Sequence, residues 1–263
     1  MASTPVRRKI VVTGAASGIG QALAGMLRTQ GDDVIGVDLK DADVCADLGT
    51  AEGRQDAVRA ILERSGGVLD AVIACAGISA RVPAVIAVNY FGVTELLQGL
   101  RPALARAEAP RAACVGSIVG TRPGARDVVA ACLAGDEPGA LAAAAALADA
   151  GEGGALYPAS KAALARWVRR TSVTDAWAGA GIPLNAVAPG VVLTPMHAAS
   201  AVTEEQRRIV AQAVPMPLNG HAEPEVIARA LRWLTSAENS HVTGQVLYVD
   251  GGAEAVLRGP DRV

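Results

Sequence analysis

Apolar residues in this chain follow two alternating rhythms. Short runs rich in Val and Ile occur at 10–12, 34–37, 44–46, 71–74, 113–115, 184–187 and 246–249, giving seven strand candidates. Between most of them lie longer stretches, 19–29, 54–64, 85–104, 160–177 and 224–234, whose apolar residues are spaced as on one face of a helix. Strands alternating with helices predict an α/β fold: a doubly wound parallel sheet of the Rossmann-like kind, with helices on both faces. From about 124 to 154 the rhythm breaks. Pro138, several glycines and the alanine-rich run 140–148 predict an inserted helical excursion, since alanine has the highest helix propensity.

Composition narrows the class. A chain of 263 residues, 51% of them apolar, suits one large domain over 1–263 with a sizeable core. Its 24 basic and 26 acidic residues are mixed without a basic block, so no nucleic-acid surface is expected. Cys45, Cys75, Cys114 and Cys132 have no CxxC spacing, and three lie in apolar runs, which predicts buried thiols rather than disulfides or a metal site. His197 and His221 have no metal partners at ligand spacing either. After Arg7, Arg8 and Lys9 the apolar run stops at Thr13-Gly14, too short for a signal peptide or a membrane span. A soluble cytoplasmic protein is the expectation.

Two segments carry chemistry. The first strand leads into Gly14-Ala15-Ala16-Ser17-Gly18-Ile19-Gly20 and then a helical pattern. Gly14 suits a tight turn, Gly18 a close approach to a pyrophosphate, Gly20 close helix–sheet packing, and the helix start offers free N–H groups. The spacing is GxxxGxG, a variant of the dinucleotide fingerprint. Asp38, ending the second strand, can bind ribose hydroxyls and would repel a 2′-phosphate by about 4 kcal/mol per unit charge at ~4 Å and a dielectric of ~20. NAD is favoured over NADP, although Lys40 lies close by in sequence.

Further on, Tyr157-Pro-Ala-Ser-Lys161 sets a phenol and an ammonium four residues apart, on one face if they open a helix. A phenol titrates near ~10. Lowering that by about 2 to 3 units takes roughly 3 to 4 kcal/mol, which one adjacent cation can supply. The expectation is a tyrosine acidified by Lys161.

The glycine turn, Asp38, Cys75-Ala76-Gly77, Asn89, Ser117, YPASK and Pro189-Gly190 occur in an order and spacing that resemble the short-chain dehydrogenase/reductase family over nearly the whole chain. DADVCADLGTAEGR (41–54), VNYFGVTEL (88–96) and VDGGAEAVLR (249–258) are similar to its bacterial 3α-hydroxysteroid dehydrogenase/carbonyl reductase subgroup. The resemblance implies Tyr157 as general acid/base, Ser117 as a hydrogen-bond partner of the substrate oxygen, Lys161 on the nicotinamide ribose and the phenol, and Asn89 as holder of a relay water. It also implies cofactor contacts from Asp47 and Leu48 at adenine, from Cys75, Ala76 and Gly77 beside the dinucleotide, and from Pro189, Gly190, Val192 and Thr194 at the nicotinamide. Cys75 departs from the more usual Asn at its position.

In the family's layout, residues from about 195 to 220, with Met196, His197, Val214, Met216 and Leu218, form a mobile flap over a hydrophobic alcohol or ketone, with a steroid as the leading candidate. The long step from Ser117 to Tyr157 matches an insertion that blocks one of two common subunit interfaces, which implies a homodimer. Other secondary alcohols, cyclic or dihydrodiol, and a non-catalytic NAD sensor are the competing readings.

Overall fold

The computed structural model describes residues 7–122, 124–200 and 203–261. Seven strands, β1 (Lys9–Thr13), β2 (Asp33–Asp38), β3 (Val44–Cys45), β4 (Ala71–Ala74), β5 (Arg111–Val115), β6 (Leu184–Pro189) and β7 (Val246–Val249), form one sheet in the order β3-β2-β1-β4-β5-β6-β7. Every pairing is parallel, and all but the short β2–β3 connection run through helices. The winding reverses between β1 and β4, where Thr13 is in register with Ala74, and a crevice opens beyond those strand ends.

The strands bury both faces. On β1, Val11 points into one core and its neighbours Ile10 and Val12 into the other. The second core is closed by α1 (Gly18–Thr29) and α10 (Pro224–Leu234) through Leu23, Leu27, Ile227 and Leu231. The larger first core is covered by α2 (Ala51–Ser65), α4 (Gly92–Leu104) and α7 (Leu156–Thr171), among others.

Two helical expectations are revised, and the inserted helical segment gains detail. The stretch 85–104 is not one helix: a short α3 (Ala84–Ile86) runs into a π-helical turn at Ala87–Phe91 before α4 begins. The helix expected to reach Trp177 ends at Thr171, and Trp177 folds back in a turn to meet Trp167 edge-on at 6.3 Å. The insertion is a pair of helices, α5 (Arg126–Ala134) and α6 (Glu137–Asp149), separated by Gly135 at φ 74°. Asp136 caps α6 by accepting from Gly139 N at 2.9 Å. Three short helices complete the chain: α8 (Pro195–Ser200), α9 (Glu204–Ala213) and α11 (Ala253–Arg258). Residues 201 and 202 of the expected flap lie outside the described residues.

All four cysteines are free, but burial was expected too broadly. Cys114 and Cys132 are buried, whereas Cys45 is exposed because β3 is a two-residue edge strand with one side open. Among the described residues no helix is long and apolar enough to cross a membrane.

Candidate active site

A cleft of about 460 Å³ runs across the C-terminal ends of the strands. Its floor at one end is the turn between β1 and α1. Gly20 has to be glycine, since a Cβ there would stand 2.2 Å from the Gly14 carbonyl oxygen, and at Gly14, at φ +66°, a Cβ would stand 3.0 Å from the Ala76 backbone. Ser17, the N-cap of α1, makes no side-chain cap bond, so the first amides of α1 remain available to an anion. Thr13 Oγ1 accepts from Ala76 N at 2.9 Å and ties the turn to the loop after β4.

Asp38 does more than its sequence position suggests. Its carboxylate accepts from Ala16 N at 2.9 Å and Leu39 N at 2.8 Å, fastening the glycine turn to the end of β2. A carboxylate has about four acceptor sites, so capacity for ribose hydroxyls remains.

At the other end, β5 leads into Ser117 and a 3-10 turn (Ile118–Thr121) that packs on α7. Glycines set the separation: a Cβ on Gly120 would lie 3.1 Å from the Lys161 carbonyl, and one on Gly124 only 2.9 Å from Ala159 Cα. This contact sets Ser117 beside Tyr157, close enough to lower the pKa of its phenol, while the Ser117 hydroxyl accepts from Val119 N at 3.3 Å.

The acidified tyrosine does not follow. Burial raises the Tyr157 pKa, and the nearby Ser117 hydroxyl offsets it only in part. Lys161 Nζ is 5.8 Å from the centroid of the Tyr157 ring and donates to the Val115 carbonyl at 2.8 Å. Being buried, the ammonium is itself lowered to about 8, with the neighbouring Cys114 and Cys75 opposing that shift. Burial in turn pushes the thiols of Cys75 and Cys114 up to about 12, so neither is a nucleophile at neutral pH.

Gly14, Ser17, Gly18, Ile19, Gly20, Asp38, Asp47, Leu48, Cys75, Ala76, Gly77, Ser117, Tyr157, Lys161, Pro189, Gly190, Val192 and Thr194 all line the cleft. Asn89 does not. The π-helical turn carries it into the core behind Gly77, where its Oδ1 accepts from Ile78 N at 2.9 Å and its Nδ2 donates to Ile78 O at 3.0 Å and Ser160 Oγ at 3.2 Å. Those bonds fix the loop after β4, so the side chain reaches the cleft only through its neighbours.

The flap is also redistributed. Met196, His197 and Val214 line the cleft, but Met216 lies behind Gly190, where its sulfur accepts from Val191 N at 3.2 Å, and Leu218 is 66% exposed outside. Val210 and Ala213 of α9, Ile118, Val119 and Arg122 complete that end, none of them marked by a motif. Arg122 donates to the Ala213 carbonyl at 2.6 Å, at the C-terminal end of α9 where a cation is favoured. His197 meets His221 edge-on at 5.4 Å, and burial together with that second imidazole lowers its pKa.

An anion-ready helix start, a carboxylate at the end of β2 and a serine–tyrosine pair facing a mostly apolar chamber define a dinucleotide-dependent dehydrogenase or reductase. The profile described as Enoyl-(Acyl carrier protein) reductase matches residues 14–254, and the chain belongs to the short-chain dehydrogenase/reductase family. Among individual proteins it is 35% identical to the 3-alpha-hydroxysteroid dehydrogenase/carbonyl reductase of Comamonas testosteroni, over 95% of this chain and 97% of that one. It is 33% identical to the cis-4-hydroxycyclohexanecarboxylate dehydrogenase of Sinomonas cyclohexanicum, again over 95% and 97%. The crystal structure of the 3-alpha-hydroxysteroid dehydrogenase from Pseudomonas sp. B-0831, complexed with NADH, superposes with a TM-score of 0.88 at 45% identity, covering 95% of this chain and 98% of that one.

Proposed function

We propose that the chain is an NAD(H)-dependent oxidoreductase that interconverts a secondary alcohol and a ketone, and that its substrate is of the 3α-hydroxysteroid or related hydrophobic carbonyl class. The observation that carries this reading is that Ser117 and Tyr157 line one cleft together with the glycine turn at its dinucleotide end and an apolar chamber at the other.

The residues present fit a dinucleotide. The uncapped start of α1 suits its phosphates, Asp38 its adenosine ribose, and Asp47 with Leu48 its adenine. Thr194, whose methyl group would lie 3.2 Å from a Cβ on Gly18, closes the opposite wall beside Pro189, Gly190 and Val192. When bound, the nicotinamide supplies the hydride chemistry.

Tyr157 exchanges the proton of the reacting oxygen, and Ser117 holds that oxygen by hydrogen bonding. Because the phenol stays protonated through neutral pH, it serves ketone reduction directly as an acid. Oxidation draws on the small phenolate fraction, which the nearby Ser117 hydroxyl favours. Lys161 orients the nicotinamide ribose, and Asn89 holds the loop after β4 behind Gly77.

The chamber walls of Ile118, Val119, Val210, Val214 and Met196 exclude water and suit an apolar ring system. A cytoplasmic homodimer is part of the reading: α5 packs on α7 and carries α6 packed against α5, as a blocked subunit interface would require.

NADH absorbance, followed with a panel of steroid and nonsteroid alcohols, tests the substrate class. Tyr157→Phe should abolish turnover with NADH affinity nearly intact; a near-normal rate would refute the role of the phenol. The likeness to the cyclohexanecarboxylate dehydrogenase favours a second reading, a smaller cyclic alcohol, and the same panel separates the two. Binding of NADH without turnover of any substrate would leave a cofactor sensor.

A further inference from the structure

We infer that Arg54 is a positioning residue for the adenine half of the cofactor, and that through it the inserted helices brace the dinucleotide cleft. The inference rests on the reading of that cleft given above. Arg54 lies near the start of α2 and is 1% exposed. Its three guanidinium nitrogens reach three separate elements. Nε donates to Glu95 in the first turn of α4 at 2.6 Å, Nη2 to Glu137 in the first turn of α6 at 2.5 Å, and Nη1 to the Leu48 carbonyl at 3.3 Å.

A cation so deeply enclosed is tolerated only when paired, and both glutamates keep contact with solvent, at 42% and 21% side-chain exposure. The starts of three helices therefore converge on one side chain.

Leu48 is where this cluster touches the cleft. The Asp47–Leu48 segment is hemmed closely on both sides: a Cβ on Gly92 of α4 would stand 2.9 Å from the Leu48 carbonyl oxygen, and one on Gly53 of α2 would stand 2.1 Å from the Asp47 carbonyl oxygen. Thr50 Oγ1, which caps α2, donates to the same Asp47 carbonyl at 3.2 Å. The placement of Asp47 and Leu48 thus depends on how α2 and α4 sit, and Arg54 fixes both of them to Glu137 of the insertion. Lysine cannot replace it, because three donors on one nitrogen do not span three partners.

The test is calorimetric binding of NADH, AMP and nicotinamide mononucleotide to wild type, Arg54→Met and Glu137→Gln, with melting temperatures read in parallel. Arg54→Met should weaken NADH and AMP about tenfold, and Glu137→Gln about threefold, as expected for losing or weakening a charge-assisted bond. Nicotinamide mononucleotide, which lacks the adenosine half, should bind all three proteins alike, and Glu137→Gln should keep its kcat at saturating NAD. If Arg54→Met does not fold, Glu137→Gln carries the test alone. A lower melting temperature with unchanged affinities, or an equal loss for the mononucleotide, overturns the inference. A wild type that binds none of the three ligands instead sinks the reading of the cleft itself.

Discussion

The ammonium of Lys161 lies over the face of the Tyr157 ring, 5.8 Å from its centroid, and its hydrogen bond goes to Val115. The cation and the phenol share a helix face, as their spacing requires, yet the nearest stabiliser of a phenolate is Ser117. Serine and lysine therefore separate cleanly in experiment.

For Ser117, the sign follows from its effect on the phenol. Its hydroxyl lowers a pKa that burial has raised, so Ser117→Ala should move the rising limb of the alcohol-oxidation profile to higher pH. kcat/KM for oxidation, measured from pH 6 to 10 in both proteins, checks this. A limb that stays in place, or moves to lower pH, contradicts the assignment.

Lys161 bears on stability. Its folded pKa, near 8, lies below the ordinary 10.5, so between those values the unfolded chain binds more protons and wild type gains stability as pH rises. The cost of burying the charge is complete below pH 8. The stability of Lys161→Met relative to wild type should accordingly fall by roughly 2 to 3 kcal/mol between pH 7.5 and 10.5. Urea unfolding at several pH values measures it, and a difference that is flat with pH would show that the ammonium is not desolvated.

Two glycines of α1 should respond in opposite ways to the same change. Gly20→Ala forces a methyl against the Gly14 carbonyl and should abolish NADH binding, at a stability cost of about 2 kcal/mol or more. Gly25 is exposed, with nothing within 4 Å of an added Cβ, and Gly25→Ala should stabilise by about 0.5–1 kcal/mol. Thermal melts and NADH titration of both variants decide the point.

Asp38→Ser should raise the preference for NADP relative to NAD by at least about tenfold, through loss of a charge that repels the 2′-phosphate. It should also lower the melting temperature, because the bonds to Ala16 N and Leu39 N are weakened together. Specificity constants for both cofactors, set beside the melt, separate these effects. An unchanged preference would mean that the carboxylate serves only to fasten the turn.

The seven strands were legible because each is a short apolar run, and their parallel pairing followed from the helical stretches that separate most of them. The glycine turn and YPASK were equally legible, since each demands special residues at fixed spacing. Other features lie beyond local pattern. Asn89 turns inward because a π-helical turn lies between α3 and α4, and nothing in VNYFGVTEL marks that extra residue. Arg54 reads as one more helix-surface cation until Glu95 and Glu137, distant in sequence, close around it. Met216 looked like a flap residue because hydrophobicity does not say which side of Gly190 a side chain takes.

The seat of Gly120 on the backbone of Lys161 and Ala162 separates two properties that chain length would otherwise couple. The serine-bearing turn finds its place by resting on the tyrosine-bearing helix, whatever path the polypeptide takes between them. Sequence changes in α5 and α6 that keep the packing of α5 on α7 and the Glu137–Arg54 pair can therefore accumulate while the reacting pair stays in register.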